Sequence, residues 1–87
     1  MKISIRRSFE KDSLKLSGLN QQKIAEIIED IHHAKSLSEL INCKKLSGCK
    51  NAYRIRTGDY RIGFFFNNNT VELVRVLPRK EMYRYFP

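Results

Sequence analysis

The hydrophobic pattern of this 87-residue chain predicts an α+β fold: a small antiparallel β-sheet with an N-terminal helical hairpin packed on one face, in the order β-α-α-β-β-β. Three observations lead there. Helical periodicity is confined to the N-terminal half, and period-two alternation with tight turn signals fills the C-terminal half. No repeat, low-complexity run or linker interrupts the chain, so residues 1–87 are read as one domain.

Residues 2–7 read as a strand, with Ile3 and Ile5 alternating against Lys2, Ser4 and Arg6. Ser8 is placed to cap a short helix from Phe9 to about Leu16, which Ser17-Gly18 stops. Asn20 is the expected cap of the next helix, where Ile24, Ile27, Ile28 and Ile31 fall on one face and form a core stripe. Ser36-Leu37-Ser38-Glu39 fits a capping box opening a short helix, and Cys43 to Leu46 leads into a turn at Ser47-Gly48. Tyr53-Arg54-Ile55-Arg56 alternates as a strand and Thr57-Gly58-Asp59 turns the chain. Tyr60 to Phe66 is the next strand, Asn67 to Asn69 the next turn, and Val71 to Leu77 the last strand, ended by Pro78. Arg79 to Phe86 is a short tail with room for about one or two helical turns.

Seventeen Lys and Arg against nine Asp and Glu give a net charge of +8. Such a chain attracts polyanions, so nucleic acid or an acidic protein is the expected partner. A domain this small buries only roughly 60% of its unfolded surface, and a partner that covers apolar area would add to its stability. Cys43 and Cys49 form no CxxC pair, and with His32 and His33 make a poor zinc set, so free thiols and no metal or cofactor are expected. No apolar run follows the basic start Lys2 to Arg7, and none approaches the ~20 residues that cross a bilayer. A cytoplasmic location without membrane association is the resulting expectation.

The strands carry the sharper functional signal. Arg54 and Arg56 are two residues apart, so both point to one face, and Ile55 points to the other. Arg61 and Arg75 lie in the following strands, and Arg79, Lys80 and Arg84 follow in the tail beside Tyr83 and Tyr85. With Lys44, Lys45 and Lys50 these groups are expected to gather, exposed, on one side of the sheet, because burying so many like charges is prohibitive. Arg binds phosphate bidentately and Tyr offers a plane for a base, which is the equipment of single-stranded RNA recognition.

The run Lys45-Leu46-Ser47-Gly48, followed by Ala52 to Phe64 with its Tyr53-Arg54-Ile55-Arg56 and Tyr60-Arg61-Ile62, resembles the signature of the RelE/ParE toxin superfamily. Val74-Arg75-Val76 with Arg79, Lys80 and Tyr83 is similar to its closing motif, and the RelE-like branch fits best. The resemblance implies a toxin of a type II toxin-antitoxin system that enters the 30S A site of the ribosome and cleaves the messenger RNA there. It implies metal-independent attack by the ribose 2′-hydroxyl, and a cognate antitoxin, which for so basic a toxin should be acidic. An assembly of two toxins with two antitoxins is compatible with it, though no residue fixes the stoichiometry. By the same resemblance Arg61 binds the phosphate, Arg79 stabilises the transition state or protonates the leaving group, and Tyr83 stacks on or orients the substrate. Arg54 and Arg56 fall where the best-known member has two Lys, and with Lys45, Lys80 and Arg84 make up the expected phosphate-binding set.

Arginine almost never gives up its proton in a protein, so Arg54 and Arg56 bind anions but are poor bases. Lys45, Lys80, Tyr83 and Tyr85 remain as candidate bases, with His32 and His33 less well placed at the end of the long helix. A ParE-like toxin that inhibits DNA gyrase without catalysis is the alternative, since fold and middle motif serve both branches and only the Arg79 and Tyr83 tail discriminates.

Overall fold

The computed structural model describes residues 1–87. Strand β1 (Lys2–Ile5) is followed by helices α1 (Arg7–Leu14) and α2 (Gly18–His33), then β2 (Cys43–Lys45), β3 (Ala52–Thr57), β4 (Tyr60–Asn67), β5 (Thr70–Pro78) and helix α3 (Arg79–Tyr85). The strands form one sheet in the order β1-β5-β4-β3-β2. All neighbours are antiparallel except β1, which runs parallel to β5. The predicted α+β class holds; the sheet is mixed, because the α1–α2 hairpin carries the chain from β1 to the far edge at β2, and the antiparallel β2–β5 meander then brings β5 back to lie parallel beside β1.

The α1–α2 hairpin packs on one face, as predicted. Ile24 and Ile31 of the isoleucine stripe are buried with Phe9, Ile55, Ile62, Phe64, Val71 and Leu73, and Ile27 and Ile28 pack at the margin. Each fully buried side chain of this kind contributes roughly 1.5–3 kcal/mol. The opposite face has its own small cluster, in which Met82 and Phe86 press on Ala52, Val74 and Leu77. The tail is therefore a helix that covers the face left bare by the hairpin. A register irregularity at Gly63/Phe64 lets β5 supply both layers, with Leu73 and Val76 on one side and Val74 and Leu77 on the other.

Several local expectations are corrected. α1 begins at Arg7 with Arg6 as an uncapped N-cap, and the Ser8 hydroxyl instead donates to the Val74 carbonyl. Ser17, not Asn20, caps α2: its Oγ accepts from the Asn20 amide at 3.3 Å, and Gly18 is the first helical residue rather than a stop. The Ser36–Glu39 box does not form. The segment holds a single 3₁₀ turn, Leu37–Glu39, in which Glu39 accepts from the Lys35 amide at 3.2 Å and Ser36 makes no capping bond. Cys43 to Lys45, read as a lead-in to a turn, is the edge strand β2, paired with β3.

One polar pair ties the hairpin to the sheet. Asp12 of α1 is 5% exposed and accepts from Arg75 Nε at 2.7 Å, Arg75 Nη2 at 3.0 Å and the Val76 amide at 3.1 Å. The Arg75 guanidinium also lies 5.6 Å from the centroid of the Tyr85 ring on α3. Arg75 thus links the two layers across the end of the sheet, and its pKa is raised, chiefly by the hydrogen bonds to Asp12.

Two measurements test this packing. Asp12→Ala leaves Arg75 without its counter-charge and should cost about 3 kcal/mol, read from the urea midpoint; an unchanged midpoint would contradict the role assigned to the pair. Gly63→Ala places a Cβ 2.6 Å from the Phe86 ring, so α3 must shift from its seat. A loss of about 1–3 kcal/mol is expected, with faster amide exchange confined to α3.

Candidate anion-binding active site

The sheet register builds the site. Period-two alternation sends Tyr53 and Ile55 of β3 into the hairpin core and Arg54 and Arg56 to the other face. Across the ladder, Arg56 stands opposite Arg61 of β4, and Lys44 of β2 stands opposite Arg54. Like charges directly opposite one another are destabilising, so this clustering is a feature the fold tolerates rather than one that stabilises it.

Helix α3 completes the arrangement. Pro78 precedes it with φ already near the helical value, and the Arg79 amide donates to the Asp59 carbonyl of the β3–β4 turn at 3.0 Å. Arg79 and Tyr83 are four residues apart and so share one helix face. Met82 and Phe86, also four apart, point to the sheet. Arg79 and Tyr83 thereby join Lys44, Arg54, Arg56 and Arg61 around a hollow of about 490 Å³, whose lining is completed by Asn42 and Cys43. No carboxylate lines it.

The four guanidinium groups are held without counter-ions. Arg61 Nη1 donates to the carbonyls of Gly58 and Tyr60, both at 2.9 Å. Arg56 Nη2 donates to Asn42 Oδ1 at 3.3 Å. The Arg54 guanidinium lies 5.4 Å from the centroid of the Tyr83 ring. Burial, and then the charges of Arg79, Arg54 and Arg56, lower the Arg61 pKa from its ordinary value. The Tyr83 phenol is pulled below its usual range by the hydrogen-bonding approach of Arg54 first and Arg79 second, and then by their charge. The Arg54 contact is made over the ring rather than as a well-directed hydrogen bond, so proximity of positive charge is the better description of the cause.

Of the residues singled out in the sequence, Arg54, Arg56, Arg61, Arg79 and Tyr83 are brought together. Lys45 lines an adjoining hollow of about 360 Å³ that shares Lys44, Arg54 and Tyr83 with the first. Lys80 and Arg84 line neither, because their helical positions face solvent on α3. Arg75, expected on the common face, is instead bound to Asp12. Tyr85 and the histidines lie outside the hollow, His33 pairing with Glu29 at 3.2 Å near the end of α2. Lys44 was visible as one of several lysines; its alternation with β3 could not be read from a three-residue strand. Asn42, with φ of 60°, carries no local motif that marks it, although Asn is enriched among the residues with a Cβ that adopt that conformation.

No helix is long and apolar enough to cross a membrane. No protein-family model matches the chain. The chain is 42% identical over 88 residues to Toxin RelE3 of Methanocaldococcus jannaschii, a match that spans 100% of both. Its fold is similar to the crystal structure of a RelB–RelE antitoxin–toxin complex from Methanococcus jannaschii, with a TM-score of 0.83 and 39% identity over 97% of this chain and 99% of that one. An archaeal RelE–RelB complex from Pyrococcus horikoshii has the same fold at 22% identity, with a TM-score of 0.75 over 90% and 93% of the two chains. Full-length identity of that order, on a shared sheet and hairpin architecture, makes this chain a member of the RelE toxin family.

Proposed function

We propose that this RelE-family chain is a cytoplasmic, ribosome-dependent endoribonuclease that cuts messenger RNA in the A site. The observation that carries the reading is the carboxylate-free hollow in which Arg54, Arg56, Arg61 and Arg79 surround the Tyr83 phenol. A phosphodiester passing to a pentavalent transition state gains negative charge, and several fixed guanidinium groups meet that charge at little reorganisation cost. The presence of the tail pair Arg79 and Tyr83 in that hollow weighs against the gyrase-binding alternative, which has no need of a phenol among phosphate-binding arginines.

The reaction is an internal transfer. The ribose 2′-oxygen attacks the adjacent phosphorus, the bond from phosphorus to the 5′-oxygen breaks, and a 2′,3′-cyclic phosphate remains. Arg61 and Arg79 bind the non-bridging oxygens and the charge that builds on them, while Arg54, Arg56 and Lys44 hold the backbone on either side. Among the candidate bases of the sequence, only Tyr83 stands in the hollow. Its lowered pKa favours the phenolate that accepts the 2′-hydroxyl proton, and the departing 5′-oxygen takes a proton from solvent. The ribosome supplies the in-line alignment of the message.

The solved RelE relatives bound to RelB support an antitoxin partner for this chain as well. At a net charge of +8, the partner that best covers the arginine face is an acidic segment.

Primer extension on programmed ribosomes tests the reading, and an intact message would sink it. Arg61→Ala and Arg79→Ala should each lower the single-turnover cleavage rate by about a hundredfold or more, the loss of one transition-state donor. The melting temperature of Arg61→Ala should be unchanged or slightly raised, because a like-charge pair is relieved. With Tyr83 acting as a base, the rate should rise with pH and level off below the value near 10 of an ordinary phenol. Tyr83→Phe should remove that rise; persistence of the same pH limb in the variant would assign the base elsewhere.

A further inference from the structure

We propose that Asn42 is a positioning residue of this site, aiming the Arg56 guanidinium into the hollow through a neutral acceptor; the inference rests on the phosphodiester-binding reading above. Asn42 stands directly before β2 with φ of 60°, a left-handed conformation that Asn and Asp accept most readily among residues with a Cβ. It grips Arg56 twice. Its carbonyl oxygen accepts from the Arg56 amide at 3.1 Å, and its Oδ1 accepts from Arg56 Nη2 at 3.3 Å. The turn that sets the backbone conformation therefore also sets the direction of the side chain.

The choice of acceptor carries the argument. Where an arginine of this chain ties elements together, its partner is a carboxylate: Arg75 with Asp12 at 2.7 Å and Arg6 with Glu72 at 2.9 Å. Around the hollow the acceptors are neutral: Asn42 for Arg56, and the Gly58 and Tyr60 carbonyls for Arg61. A carboxylate would hold Arg56 more strongly but would cancel the charge needed for phosphate. An amide fixes direction and leaves the positive field intact. Because Arg56 faces Arg61 across the ladder, an unheld Arg56 side chain would swing away from its neighbour and out of the hollow.

Two variants of the full chain separate the effects. Asn42→Asp keeps the shape and the left-handed tolerance and adds a charge; Asn42→Gly keeps the backbone conformation and removes the side-chain acceptor. Inorganic pyrophosphate is titrated into the free protein and followed by the Nε–Hε NMR signal of Arg56. Asn42→Asp should melt at or above the wild-type temperature yet bind pyrophosphate about tenfold more weakly, the size expected when a charged hydrogen bond is diverted. Asn42→Gly should bind more weakly by a smaller factor, with an Arg56 signal broadened or shifted before any ligand is added. On programmed ribosomes, both variants should raise the half-saturating toxin concentration more than they lower the maximal rate. Wild-type pyrophosphate affinity in folded Asn42→Asp, an unmoved Arg56 signal in Asn42→Gly, or no binding by the wild type would each overturn the proposal. If Asn42→Asp does not fold, Asn42→Gly decides. An intact message together with the expected pyrophosphate pattern would remove the nuclease reading alone and leave the positioning role standing.

Discussion

Arg56 faces Arg61 across the β3–β4 ladder because Ile55 faces Ile62 on the other side of it. These are one constraint seen from two faces. The alternation of a strand has a period of two, so the register that buries both isoleucines beneath the hairpin also sets both arginines opposite each other. A slip of one residue would carry the guanidinium groups into an apolar core, at a cost far above that of like-charge repulsion at the surface. The core holds the register, and the register holds the charges together. Everything the site offers an anion follows from this coupling.

The opposite face of the sheet is only partly covered, and the uncovered part is the arginine-lined hollow. α3 is short and seats two side chains, Met82 and Phe86, with Phe86 resting where Gly63 provides room. Arg79 and Tyr83 on the exposed flank of α3 stand beside Arg54, Arg56 and Arg61 and line the hollow with them. The β3–β4 turn contributes to both halves, since its carbonyls receive the Arg61 side chain and the Arg79 amide. A movement of that turn would displace both arginines together.

Carboxylates are distributed with equal consequence. Asp12 takes Arg75 out of the basic set and turns it into a bracket between α1, β5 and α3. Glu72 occupies Arg6 at the β1 edge. The hollow itself has only neutral acceptors, which leaves its charge uncompensated within the chain. The same net charge of +8, spread evenly, would give solubility and weak polyanion binding; concentrated here, it gives a site.

Much of this was legible in the residues. The isoleucine stripe of α2 and the alternation of β3 and β4 depend on local periodicities of 3.6 and 2, which the chain carries within a few residues of each other. The β1–β5 pairing is parallel and joins residues 68 positions apart, as in Lys2 with Thr70, so no local pattern announces it. β2 is three residues long, too short to display alternation, so Lys44 is legible only as one of the lysines expected on the basic face, and Asn42 is not marked out at all.

The sequence by itself determined the helical hairpin, the meander, the positive balance and the placing of Arg54 and Arg56 on one face. Tertiary structure alone decided which basic residues meet. It drew Arg75 away to a carboxylate 63 positions distant, turned Lys80 and Arg84 to solvent, and brought Arg79 and Tyr83 over the sheet. The physical reason is that periodicity fixes which way a side chain points relative to its own strand or helix. Its neighbours depend on how those elements pack, and packing is settled by contacts between residues far apart in the chain.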